Sequence, residues 1–338
     1  MTTLAHRMRM KSEAVSACLI RVATWVLIAT CASASLADER TYPHKPIRWI
    51  VPYPSGTASD IVARAFAVKL QEQWRQPVIV DNRPGAATNL GSELVLKAPA
   101  DGYTLLLSSG TSVTNAALFD RLAYDPARDF IPVSLLVRSV LAIFVPAQSA
   151  FRTFGDAVSY ARSHPGQLAY GVPGIGSIPH LAAQQLMDIS KVSLVSVPYV
   201  GSPRLATDLA GGHLPLAIGN LFVHIQQVRT GQVRVLLVLG QTREPALPEV
   251  PSVAEIGLSE LATDGFVGVS VAAATPRDIV QKLAAELQRI GKLPDVIRQL
   301  EQPGTRIVAS SPNHYGRLLE TEAARWKKVI REHNIRVN

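Results

Sequence analysis

Two short stretches of the sequence combine glycine with residues that begin helices, and both could bind an anion through the backbone. The first is Gly56-Thr-Ala-Ser-Asp60 and the second is Gly174-Ile-Gly-Ser177. Glycine allows a ligand to approach the main chain closely, and free amides at a helix N-terminus favour a carboxylate. The predicted ligand contacts in these stretches are Gly56, Thr57, Ala58, Ser59, Asp60, Gly174, Gly176 and Ser177.

Both stretches also fit a purely structural role. Thr57 and Asp60 have the spacing of a capping box, with the Thr57 hydroxyl serving either as a ligand donor or as a helix cap. Ser177 is a suitable N-cap for the helix that starts near Pro179. One such loop lies in each half of the chain, which favours a ligand cleft between two halves.

Four more polar residues are candidate ligand contacts because they follow predicted strands or begin helices. Asn82 and Asn89 flank an Arg-Pro-Gly turn, and they either line the cleft or merely form that turn. Ser109 lies in the small-residue turn after a strand-like run. Asp208 is either a contact or an ordinary acid on a helix surface.

Motifs for catalysis and metal binding are missing from the sequence. It contains no G-x-S-x-G and no H-E-x-x-H, and Ser177 stands where a P-loop would need lysine. Both cysteines, Cys18 and Cys31, precede residue 38. We therefore expect no catalytic residue, no metal and no cofactor, although a catalytic triad need not be contiguous in sequence.

The first 37 residues have the order of a secretory signal. A basic start is followed by an apolar run at 22–29 and by small residues that end at Ala37. The apolar run is far shorter than the roughly 20 residues that span a bilayer. We expect export to the periplasm with cleavage before Asp38; lipid attachment at Cys31 is the alternative.

The charge of the chain is only mildly basic. The net charge is +8 over 338 residues, and no basic stripe carries interleaved aromatic residues, so nucleic acid is not an expected partner. A mild positive excess can steer anions toward the protein. We expect a monomer.

After the leader, strand-like runs alternate with helical patterns, which is typical of an α/β fold with a parallel sheet. Val62, Phe66, Leu70 and Trp74 recur at every fourth position and mark an amphipathic helix. Thr275 is predicted to cap a helix, and past Gly265 the pattern is helical. The strand-like runs are 47–51, 77–80, 103–107, 168–170, 195–199, 214–218 and 233–239.

A series of spaced motifs resembles the receptors of tripartite tricarboxylate transporters, also called the Bug family, over essentially the whole chain after the leader. The motifs include Tyr42-Pro-x-Lys-Pro-Ile47, Asn82-Arg-Pro-Gly-Ala86, Pro99-x-Asp-Gly-Tyr-Thr-Leu105, Val197-Pro-Tyr-x-Gly201 and Glu322-x-x-Arg-Trp326. The family usually has a second glycine at the position of Thr57 and a lysine at that of Val200.

The resemblance implies a type II periplasmic-binding-protein fold with two α/β domains, two crossing strands and a ligand cleft between the domains. The expected boundaries are 38–145 plus 265–338 for domain 1 and 146–264 for domain 2. It also implies a receptor that captures a small organic acid, such as a di- or tricarboxylate, amino acid or aromatic carboxylate, for a membrane permease. A sensor accessory and an exported enzyme are the alternatives.

Overall fold

The structure is a computed structural model that describes residues 42–337. The predicted leader and both cysteines lie outside the described residues. From Lys45 onward the chain forms one compact unit. No helix within residues 42–337 has both the length and the apolar character needed to cross a membrane.

Ten strands in the described part of the chain join in one mixed sheet. The strands are β1 Ile47–Val51, β2 Val78–Asn82, β3 Thr104–Ser109, β4 Phe130–Pro146, β5 Ala169–Val172, β6 Val195–Pro198, β7 Ala217–Asn220, β8 Val233–Val238, β9 Asp264–Ala272 and β10 Thr305–Ile307. Their order in the sheet is β2-β1-β3-β9-β4-β7-β5-β6, with β8 and β10 also pairing with β4. Two parallel groups, β2-β1-β3 and β7-β5-β6, lie on either side of β9 and β4.

Helices connect the parallel strands, as the alternating sequence pattern predicts. The helices are α1 Ala58–Trp74, α2 Asn89–Leu96, α3 Gly110–Leu118, α4 Phe154–Ser163, α5 Ile178–Ser190, α6 Ser202–Ala210, α7 Leu221–Arg229, α8 Arg277–Ile290, α9 Pro294–Leu300 and α10 Pro312–Glu332. The periodic face of α1 is confirmed, because Val62, Phe66 and Leu70 are buried.

The long strand β4 passes through both halves of the sheet. Its first part, up to Val140, pairs antiparallel with β9, and its last part, from Leu141, pairs with β7 and β8. Almost every residue from Val133 to Val137 and from Leu141 to Pro146 is buried. Continuous burial explains why β4 shows no alternating pattern in the sequence.

The C-terminal helix α10 joins the two halves from outside the sheet. Its second half carries Trp326, Val329 and Ile330, which belong to a buried cluster with Leu181 and Leu186 of α5. Arg325 on the same helix donates to Ala262 O at 2.9 Å. This helix, which belongs to the predicted domain 1, therefore packs against residues of the predicted domain 2.

Two predictions for the region past residue 260 are wrong. The stretch predicted to be helical from Gly265 onward begins with β9, a strand paired on both sides. Thr275 does not cap α8: the helix begins at Arg277, and the buried Thr275 hydroxyl has no partner among the described residues. The last helix, α10, begins at Pro312 with Ser311 as its N-cap.

Candidate functional site

A cavity of about 380 Å³ lies where five strands of the described chain end and five helices begin. The junctions run from β1 to α1, β3 to α3, β5 to α5, β6 to α6 and β7 to α7. In open α/β sheets, ligands bind outside the carboxyl ends of the strands. The lining residues with a side-chain donor are Tyr53, Thr57, Ser59, Thr88, Ser109, Thr111, Ser139, Ser177, Ser202 and Asn220.

The first junction follows β1 and places Ala58 and Ser59 at the cavity. Thr57 is the N-cap of α1: its hydroxyl accepts a hydrogen bond from Asp60 N at 3.4 Å and donates to Pro54 O at 2.9 Å. Thr57 thus acts as a helix cap, one of its two predicted roles. The amides of Ala58 and Ser59 have no acceptor within the helix, as in the first turn of any α-helix, and can serve an anion.

The Asp60 carboxylate holds this loop together from behind the cavity. It is 2% exposed and accepts hydrogen bonds from Gly56 N and Asn82 Nδ2, both at 2.9 Å, and from Arg64 Nε at 3.0 Å. Burial by itself raises the pKa of Asp60, but Arg64, the Gly56 amide and Asn82 outweigh burial and lower that pKa. Gly56, Asp60 and Asn82 do not line the cavity; in the structure they support the loop, and their predicted ligand contacts stay predictions.

Gly56 has a backbone conformation that favours glycine. Its φ is +80°, in the left-handed region. A β-carbon added at this position would meet no atom of the described chain within 4 Å. The backbone conformation alone therefore accounts for the glycine, and the close approach of a ligand to the main chain stays a prediction.

A turn of left-handed backbone forms the wall beside the first junction. Ala86, Ala87 and Thr88 have φ of 45°, 47° and 78°. Asn115 holds the turn, because its Nδ2 donates to Ala87 O at 2.7 Å. Asn89 lies behind the turn, where it accepts from Asn115 Nδ2 at 2.6 Å. Asn89 is buried and does not line the cavity, and its predicted ligand contact stays a prediction.

We expect Ala86→Gly to stabilise the protein. A left-handed backbone costs an L-amino acid roughly 1–2 kcal/mol, while glycine costs roughly 0.5–1 kcal/mol through the entropy of the unfolded chain. The free energy of unfolding should therefore rise by about 0.5–1 kcal/mol, measured by urea denaturation. The matched control is Ala285→Gly, at an exposed position inside α8, which should lower it by about 1 kcal/mol. A loss of stability in both variants would contradict the expectation.

The second junction brings Ser109 and Gly110 to the cavity beside Tyr53. The Tyr53 and Ser109 hydroxyls share a short hydrogen bond. Burial raises the pKa of Tyr53, so the phenol stays neutral at physiological pH. A β-carbon at Gly110 would overlap the Ile178 side chain. Helices α3 and α5 therefore begin side by side, each with its N-terminus at the cavity.

The third junction contains the predicted loop 174–177. Gly174 and Ser177 line the cavity, as does Ile175. The Ser177 hydroxyl donates to Gly174 O at 2.7 Å and accepts from His180 N at 3.4 Å, which makes Ser177 the predicted N-cap of α5. The Ser177 side chain thus holds the loop in its turn, and Gly174 and Ser177 face the cavity.

Gly176 and Asp208, also predicted as contacts, do not line the cavity. Gly176 N donates to His180 Nδ1 at 3.1 Å, and a β-carbon at Gly176 would overlap Leu118 of α3. Burial lowers the pKa of His180 to about 4, so the ring is neutral at physiological pH. Asp208 accepts a hydrogen bond from the Tyr199 hydroxyl at 2.9 Å. In the structure both residues make contacts within the protein, and their predicted ligand contacts stay predictions.

The last two junctions contribute residues that were not among the predicted ligand contacts. Val200, Gly201 and Ser202 follow β6, and Asn220 ends β7 at the floor of the cavity. Ser139 donates to Asn220 Oδ1 at 2.7 Å, which fixes the amide of Asn220. The signal in the sequence was a strand followed by a helix, but the predicted strand 214–218 stopped two residues short of Asn220.

Main-chain groups supply the electrostatic character of this cavity. Among the described residues that line it, Tyr53 has the only ionisable side chain. Each helix N-terminus carries roughly half a positive charge, so five of them contribute on the order of +2. Within residues 42–337, no three or more His, Cys, Asp or Glu side chains are grouped as a metal site would need. The arrangement is suited to hold an anion of one or two charges.

Comparisons with known proteins agree with this geometry. Residues 62–335 match the family model described as "Tripartite tricarboxylate transporter family receptor". A Pseudomonas sp. (strain P51) relative, "UPF0065 protein in tcbD-tcbE intergenic region", is 36% identical over 320 residues, which cover 94% of this chain and 95% of the relative.

Two solved structures share the fold and carry bound acids. Rpa4515 of R. palustris, solved with adipate, has a TM-score of 0.80 and 32% identity, over 86% of this chain and 97% of that one. MatC from Rhodopseudomonas palustris, with bound malate, has a TM-score of 0.80 and 28% identity, over 86% and 100%.

Proposed function

Because the chain belongs to the tripartite tricarboxylate transporter receptors, we propose that it is a periplasmic solute-binding receptor that captures a small carboxylate and delivers it to a membrane permease. We propose further that it acts as a monomer, catalyses no reaction and uses no cofactor. Adipate and malate, the acids bound by two structural neighbours, each have two carboxylates. The ligand class of this protein is proposed by analogy with them.

The observation that carries the proposal is the meeting of five helix N-termini at one cavity. Helices α1 and α3 come from residues before 146, and α5, α6 and α7 from residues after it. A carboxylate in the cavity would therefore receive amide hydrogen bonds from both stretches of chain. This supports the proposed domains, 38–145 plus 265–338 and 146–264, with the ligand between them.

Such a receptor gains its binding energy from contacts made in the closed state. We propose that export removes residues 1–37, in keeping with a receptor that works outside the cytoplasmic membrane.

Ser59 offers a direct test, because it occupies the first turn of α1 and lines the cavity. In Ser59→Glu the new carboxylate favours the helix N-terminus but repels a bound acid. We expect an unchanged melting temperature and at least a tenfold loss of affinity, about 1.4 kcal/mol, for adipate or malate by calorimetry. Ser59→Gln, with the same size and no charge, should retain most of the affinity. Equal binding by the Glu and Gln variants would place the anion elsewhere.

A further inference from the structure

The cavity is unsuited to a ligand with a positive charge. Among the described lining residues there is no aspartate or glutamate that could pair with an ammonium group. The nearby acid Asp60 is buried and already accepts from Gly56, Asn82 and Arg64. Five helix N-termini repel cations, and an unpaired charge removed from water is costly. An amino acid would therefore bind worse than the same acid without its amino group.

The same cavity is limited in the negative charge that it can hold. No lysine, arginine or histidine lines it in the described chain, so the helix ends supply the positive potential. Their combined charge, on the order of +2, balances one or two carboxylates. A third carboxylate would exceed that combined charge, and no cationic side chain in the described lining could balance it.

Apolar side chains lie at the mouth of the cavity, on two neighbouring loops. Ile175 follows β5 and is 42% exposed, and Val200 follows β6 and is 87% exposed. These loops are joined by a hydrogen bond from Gly201 N to Pro173 O at 3.2 Å. We call Ile175 and Val200 the apolar rim. An apolar ligand body would cover this rim and remove its surface from water, which is favourable in proportion to the area covered.

On the basis of the proposed function, we infer that the ligand is a mono- or dicarboxylic acid with an apolar body and no amino group. The helix N-termini would hold its carboxylates, and the apolar rim would cover its hydrocarbon part. Amino acids and tricarboxylates are then poor ligands, and an acid with several hydroxyl groups gains nothing from the apolar rim.

Matched acids test the inference by calorimetry on the wild-type chain. Adipate and benzene-1,4-dicarboxylate have apolar bodies, 2-aminoadipate adds one ammonium group to adipate, and galactarate adds four hydroxyl groups. We expect at least one apolar acid to bind at least tenfold more tightly than 2-aminoadipate, galactarate and citrate. Tighter or equal binding of one of these three overturns the inference but leaves a carboxylate receptor. Failure of every acid to bind overturns the proposed function as well.

A variant of the rim gives the second test. Val200→Thr keeps the shape of the side chain and replaces a methyl group with a hydroxyl. Affinity for the apolar acid should fall about fivefold, with no loss for galactarate. The matched control is Val195→Thr on β6, also exposed but outside the cavity, which should bind as wild type does. Equal affinity of the Val200 variant and wild type would show that the rim does not touch the ligand, and the inference would fail.

Discussion

Asp60→Ala is expected to lower the free energy of unfolding by about 2–4 kcal/mol and to abolish measurable binding of a carboxylate. The buried carboxylate accepts from Gly56, Asn82 and Arg64, and its removal breaks all three hydrogen bonds. A hydrogen bond to a charged group contributes about 1.5–3 kcal/mol, and it contributes less where the donor is exposed to water, as Gly56 and Arg64 are. The loop that presents Ala58 and Ser59 would then lose its geometry. Urea denaturation and calorimetry measure the two effects separately.

The control for Asp60 is Asp278→Ala, an exposed first-turn aspartate of α8, which should cost less than about 1 kcal/mol. The folded-state pKa of Asp60 is lowered, so its contribution is present above the unfolded pKa and is lost as pH falls through the folded pKa. The stability gap between wild type and the alanine variant should therefore narrow in acid below about pH 4. A constant gap down to pH 2 would show that the carboxylate charge has no part in the effect.

Gly176→Ala is the second change with a large expected effect. Gly176 has φ of +73°, which costs alanine roughly 1–2 kcal/mol, and the added β-carbon overlaps Leu118. Overpacking of this kind costs about 1–3 kcal/mol. We expect a total loss of about 2–4 kcal/mol in unfolding free energy. Ligand binding should also weaken, because the overlap pushes α3 and α5 apart and both helices begin at the cavity.

A double-mutant cycle isolates the overlap between Gly176 and Leu118. Leu118→Ala alone should cost about 2–5 kcal/mol, because Leu118 is fully buried. In that background Gly176→Ala should cost at least about 1 kcal/mol less than in wild type, since the overlapping atoms are gone. Additive losses of stability in the double variant would show that the added β-carbon at position 176 and the Leu118 side chain do not overlap.

The sequence predicted the parallel strands, the antiparallel strand β8 and the helix α1 well, because each carries a local signal. The run 47–51 matches β1 residue for residue, and 233–239 matches β8 within one residue. The strands β4 and β9 were missed. Both are central strands, buried over most of their length, and continuous burial leaves no alternation to distinguish strand from helix.

The residues of the candidate site also differ in whether a local sequence signal reveals them. Thr57, Ala58, Ser59, Ser109, Gly174 and Ser177 were found because helix N-termini have a recognisable composition, and all six line the cavity. Gly56, Asp60, Asn82 and Gly176 belong to the same motifs but serve the loops rather than the cavity. Sequence reasoning could not separate these roles, since both require small or capping residues. Asn220 was missed, and Val200 was noted only as a departure from the family pattern, because their places in the cavity depend on strand order.

The reliance of the cavity on main-chain donors has a consequence for how such receptors evolve. Amides at helix starts are present in any sequence that adopts the fold, whatever its side chains. Substitutions at lining positions such as Ile175 or Val200 can therefore alter the preferred ligand, while the main-chain amides continue to bind a carboxylate. New ligand preferences then require few substitutions, and intermediates along the way continue to bind some acid.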